Sequence, residues 1–210
     1  MQTPLISQLR EIIHRIGETL DRFRSYVEMW RAEGIIRRYF GANAFDGAMT
    51  TLGILIGAYI TGSLDPSLIV GITVSTGIAL GTSGIFAVYL IESAERQKRL
   101  EELESAVLVD LQDTLLAKAS KFVSSFTALV DGIAPVLMAM IGISPFLICL
   151  KKPYPVEYAA LSSLIIIFIT LFALGYMIGA GNLKQRSIYG IKMLIAGIIA
   201  TLLSILLKQA

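Results

Sequence analysis

Two aspartates, each followed by glycine, lie inside long apolar stretches: Asp46 in Ala-Phe-Asp-Gly-Ala-Met-Thr-Thr-Leu-Gly and Asp131 in Leu-Val-Asp-Gly-Ile-Ala-Pro-Val-Leu. A carboxylate at the centre of a membrane helix costs roughly 2.5–3.5 kcal/mol on insertion scales, so it normally faces a bundle interior, water or an ion. The chemistry such a pair offers is hard-oxygen coordination of a cation, or proton exchange between interacting acids. Pro135 follows Asp131 by four residues and has no amide hydrogen, which frees the Asp131 carbonyl and adds a second oxygen beside that carboxylate. A third group of oxygens, Glu92, Glu95, Glu101, Glu102 and Glu104, falls on a charged stretch. Two pairs in it, Glu92–Arg96 and Glu95–Arg99, have the favourable i,i+4 order and fit a plain solvated helix. Glu101 and Glu104, with Glu92 or Glu95, also fit one cation-binding face.

The elements that position these residues are membrane spans. The chain has 210 residues, 55% of them hydrophobic, before its 18 glycines are counted. Its mean hydropathy is +0.71. Soluble domains reach about 45–50% apolar with glycine included. Five apolar blocks, near 42–62, 67–91, 122–149, 156–180 and 188–207, reach the roughly 20 residues a spanning helix needs. Helix is required because lipid offers open backbone groups no partner. Lys and Arg concentrate in the first forty residues, between spans 2 and 3, and at Lys184 and Arg186, three segments on one face of a five-span topology. The positive-inside rule then puts the N-terminus in the cytoplasm and the C-terminus outside or in a lumen.

The fold expected is an all-α integral membrane protein with four segments. Residues 1–40 form a cytoplasmic amphipathic helical segment, with Leu5, Ile6, Leu9, Ile12, Ile13, Ile16, Leu20 and Phe23 at helical spacing, and with Trp30 and Tyr39 suited to the membrane interface. Residues 41–91 hold spans 1 and 2, residues 92–121 a charged cytoplasmic helix, and residues 122–210 spans 3 to 5. No cleavable leader is expected at the N-terminus. Aligning spans 1 and 3 on their Asp-Gly pairs also matches Leu52 with Leu137 and Ile56 with Ile141, a weak internal similarity.

The same composition narrows function. A net charge of +2 gives no reason to expect a nucleic-acid partner. With one cysteine, Cys149, and one histidine, His14, the chain offers neither an internal disulfide nor a multi-Cys or multi-His metal site. His14 reads as an ordinary helix histidine. An intramembrane enzyme is disfavoured: Asp46 has no further acid nearby of the kind phospholipid headgroup transferases need, and no Ser/His or Cys/His set exists. Glycines at 53, 57, 71, 77, 81, 84, 175 and 179 allow close helix approach.

With these residues in place, the chain resembles the vacuolar iron transporter family. The resemblance rests on Gly41-Ala42-Asn43-Ala44-Phe45-Asp46-Gly47 with Thr50-Thr51-Leu52-Gly53 opening span 1, on the charged helix after span 2, on Ala128 to Leu137 in span 3, and on Gly190-Ile191-Lys192-Met193-Leu194-Ile195-Ala196-Gly197 opening span 5. It implies a homodimer in the bilayer that passes Fe²⁺ or Mn²⁺ outward, as substrate and with no permanently bound cofactor, in at least some members in exchange for protons. Asp46 would line the pore, and Glu92, Glu95, Glu101, Glu102 and Glu104 would gather metal as a class. The chain departs from the family in span 2, where Met-x-x-Gly-Glu becomes Gly81-Thr82-Ser83-Gly84-Ile85, and in carrying Asp131 where a small or apolar residue is usual. The expectation is therefore a divergent, multi-pass divalent cation exporter, in a prokaryotic plasma membrane or an organelle membrane, with Asp46 and Asp131 as its membrane site. The alternative is a non-transporting scaffold or metal sensor on the same fold.

Overall fold

The computed structural model describes residue 21, residues 24–152 and residues 154–208, the side chains of 207 and 208 excepted. The stripe from Leu5 to Leu20, Phe23 and His14 lie outside the described residues. Among the described residues the structure is helical without strands. Beyond a helical stretch at 24–29, its elements are α1 (Glu33–Thr61), α2 (Pro66–Val107), α3 (Leu115–Gly142), α4 (Ser144–Cys149), α5 (Val156–Ile178) and α6 (Leu183–Lys208). All but α4 are long and apolar enough to cross a membrane.

Local chemistry sets the ends. α1 stops at Gly62, whose φ of 71° suits glycine, and the Gly62 and Ser63 amides turn back to the Tyr59 and Ala58 carbonyls. Asp65 then opens α2, its Oδ1 accepting the Ser67 amide at 2.9 Å, with Pro66 at the first helical position. At the turn between α5 and α6 Asn182 Oδ1 accepts the Gln185 amide at 3.0 Å and opens α6.

The charged helix continues directly out of span 2, as the sequence reading expects, in one 42-residue helix, about 63 Å long at 1.5 Å per residue. Two boundaries differ from that reading. That helix ends at Val107, not near Lys121. Leu108 takes a φ of 55°, Asp110 Oδ1 accepts the Gln112 amide, and Thr114 Oγ1 accepts the Ala117 amide, so residues 115–121 already belong to α3. Span 3 also stops at Gly142 rather than at 149. Pro145 sits in the first turn of the short α4, where its missing amide is tolerated only at a helix start.

The chain divides into two compact units, residues 1–35 with 89–127, and residues 36–88 with 128–210. In the second, α1 is the centre. Ala44, Ala48, Leu52, Leu55 and Ile56 of α1 share a core with Ala134 and Met138 of α3, Phe146 of α4, and Ala159, Ile167, Leu171 and Leu174 of α5. α6 closes on α5 so tightly that a Cβ at Gly175 would meet the Tyr189 carbonyl at 2.5 Å. In the first unit, Trp30 donates its indole N–H to the Leu116 carbonyl at 3.3 Å, and Tyr26 packs edge-on against Phe122.

A buried carboxylate and an exposed one

Glycines bring three helices together around Asp131. A Cβ on Gly47 of α1 would lie 2.5 Å from Pro135 Cα of α3. On α2, Gly77, Gly81 and Gly84 recur along one face. A Cβ at Gly77 would meet Ala139 at 3.2 Å, one at Gly81 would strike the Gly132 carbonyl, and one at Gly84 would lie 2.5 Å from Asp131 Oδ2. Small residues on both flanks thus let α3 lie against α1 and α2 with backbones in contact.

Asp131 is 0% exposed. Its Oδ1 accepts a hydrogen bond from Asn43 Nδ2 of α1. Its Oδ2 is buried without a hydrogen-bond partner among the described residues and rests against the Gly84 backbone of α2. Thr51 hydroxyl donates to the Gly47 carbonyl at 2.8 Å one turn along α1, which satisfies that hydroxyl within its own helix.

Asp46 has different surroundings. It is exposed, one turn past Asn43, on a face of α1 shared with Thr50, Gly53 and Gly57. A Cβ at Gly53 or Gly57 would meet nothing within 4 Å. The sequence match of spans 1 and 3 therefore aligns residues in opposite environments: Leu52 is 1% exposed and Leu137 46%.

The glutamates do not converge. Glu92 is buried and holds Arg96 at 2.9 Å, with the Arg96 guanidinium 5.2 Å over the Trp30 ring. This corrects one sequence expectation, since the Glu92–Arg96 pair is buried rather than solvated; Trp30 is itself buried under the Arg96 guanidinium. The helix-spaced pair Glu95–Arg99 is exposed, at 3.1 Å. Glu101 accepts from Gln97 at 3.0 Å, and Glu102 is exposed. Glu104 Oε1 accepts the Leu111 amide at 2.9 Å and the Gln112 amide group at 3.1 Å, so it caps the turn after α2. Among the described residues no three His, Cys, Asp or Glu side chains gather as a metal site.

Two residues of the Asp131 site escaped the sequence reading. Asn43 entered only as part of a motif, and Gly84 only as a packing residue. One signal for Asn43 was present: it is the sole carboxamide between Gln8 and Gln97, hence the one neutral amide donor available to a buried acid in spans 1 and 2.

Among the described residues, fold and site define an all-helical protein with five helices suited to a bilayer and with Asp131 fully buried between them. The chain is similar to an uncharacterized protein of Methanocaldococcus jannaschii, 27% identical over 176 residues that make up 82% of this chain and 88% of that protein. No family model and no solved structure matches it.

Proposed function

We propose that this chain is a divalent cation transporter that works as a homodimer and moves its ion away from the cytoplasm along the α1 face that carries Asp46. The observation that carries this reading is the exposure of Asp46 beside Thr50, Gly53 and Gly57. A carboxylate facing hydrocarbon is unfavourable by roughly 2.5–3.5 kcal/mol, while the open glycines beside it offer a second helix close approach. A partner copy seated there would turn two lipid-facing carboxylates into a pair of hard ligands across the two-fold axis. Carboxylate and hydroxyl oxygens suit Mn²⁺, Mg²⁺ or Ca²⁺ as well as Fe²⁺. The resemblance to vacuolar iron transporters supports Fe²⁺ or Mn²⁺ as substrate, and the Lys/Arg distribution supports outward movement.

A second reading, a scaffold or sensor without transport, draws on α2. The positions where that family carries its methionine and glutamate are Gly81 and Ile85 here. A side chain at 81 would enter the Gly132 carbonyl, and Ile85 is packed against Gly132. The missing ligands are thus tied to a tight α2–α3 contact.

Flux of Fe²⁺, Mn²⁺, Co²⁺, Zn²⁺, Mg²⁺ and Ca²⁺ into proteoliposomes, with an internal pH dye, decides between them. Transport predicts flux of at least one ion, lost in Asp46→Ala. Folded protein that moves none of them would establish the scaffold or sensor reading.

A further inference from the structure

Asp131 is a site of a different kind from Asp46. A divalent cation needs about six oxygen ligands at roughly 2.0–2.6 Å. Around Asp131 one carboxylate oxygen is held by Asn43, and the other is pressed against Gly84 where even a methyl group would collide. A proton needs no such space. An ionised carboxylate with one unpartnered oxygen, 0% exposed, carries the desolvation cost of a buried charge, whereas the neutral acid does not.

We propose that Asp131 is a proton-binding site, with the proton on Oδ2, closed by the packing of Gly84 and separate from the cation-binding face of Asp46. Asn43 holds Oδ1 in either protonation state, so its role is to fix the carboxyl with Oδ2 towards α2. Release breaks the Oδ2–H bond and passes the proton to water admitted when α2 moves off Asp131; reloading reverses the step. The titratable groups of the surrounding elements are few. α1 brings Asp46 and, a turn before Asn43, Tyr39; α2 has none between residues 77 and 88, and α3 has none besides Asp131 between 127 and 142. Only the coupling to cation movement rests on the transport reading; the proton site itself does not.

Infrared absorption spectra of the full chain in lipid vesicles at neutral pH, taken as native-minus-variant differences, test it directly. The expected result is a carboxylic-acid carbonyl band that persists at neutral pH. It should be absent in Asp131→Asn, retained in Asp46→Asn, and shifted in frequency in Asn43→Ala. Should Asp131→Asn fail to fold, Asp131→Glu is expected to shift the band rather than abolish it. Identical native and Asp131→Asn spectra from folded protein would overturn the proposal. In proteoliposomes the cation flux of Asp131→Asn should no longer respond to an imposed pH gradient; a retained response overturns the coupling. A neutral-acid band in protein that moves no cation supports the proton site and counts against the transport reading.

Discussion

Asn43 and Asp131, 88 residues apart in the chain, meet as donor and acceptor between α1 and α3. Removing Asn43 strips buried Asp131 of its hydrogen-bond donor, and leaving a buried polar group unsatisfied costs about 1–3 kcal/mol, whereas removing both partners together is far cheaper. Asn43→Leu and Asp131→Leu are each expected to lower the thermal midpoint in detergent. The double substitution should lose clearly less than the sum of the two. Additive losses would show that the pair is not energetically coupled.

The glycines separate by what faces them. Gly81→Ala drives a methyl into the Gly132 carbonyl, and overpacking of this kind costs typically about 1–3 kcal/mol. Gly53→Ala meets open space and is expected to leave the stability of the single chain within about 0.5 kcal/mol. If α1 seats a second copy, Gly53→Ala should instead weaken the dimer, read by sedimentation in detergent. Equal effects of the two substitutions on the single chain would contradict the packing described here.

The long helices were legible because twenty-residue apolar blocks have few other folds available in lipid. Their inner faces were not. Lipid accepts apolar side chains as readily as a core does, so nothing in the sequence distinguishes Leu52, buried in the bundle, from Leu137, half exposed. The Glu92–Arg96 and Glu95–Arg99 pairs share one spacing and differ in burial, since i,i+4 order reports pairing and says nothing of what covers it. The breaks at Leu108 and Ile143 were missed for a related reason: each lies between helical patterns that continue on both sides. Asp131 was legible as a residue out of place, but its partner Asn43 lies on another helix, which periodicity along one helix cannot reveal.

The two glutamate–arginine pairs give a matched experiment. Arg96 is 2% exposed and Glu92 lies beside it at 2.9 Å. Removing one partner of a buried pair costs about 3–5 kcal/mol. The Glu95–Arg99 pair, about half exposed at both ends, is worth about 0.3–0.5 kcal/mol. Glu92→Ala is therefore expected to be severely destabilising and Glu95→Ala nearly silent. Trp30 is the only tryptophan of the chain and sits under the Arg96 guanidinium, so its fluorescence reports the loss. An emission change in Glu92→Ala before global unfolding, absent in Glu95→Ala, is the predicted signature.

Glu104 and Glu101 test whether the charged helix gathers metal or only folds. Glu104 Oε1 holds the Leu111 amide and the Gln112 side chain, so Glu104→Ala should raise amide exchange at Leu111 and leave the membrane helices unaffected. The Glu101 carboxylate accepts from the Gln97 side chain at 3.0 Å on an exposed face. With no third acid, histidine or cysteine gathered there among the described residues, a Glu101→Gln, Glu102→Gln double variant is expected to bind Mn²⁺ as the native chain does in titration calorimetry, while Asp46→Asn loses that binding. A fall in Mn²⁺ affinity of the double variant, with Asp46→Asn unchanged, would move the cation site from the membrane face of α1 to the charged end of α2.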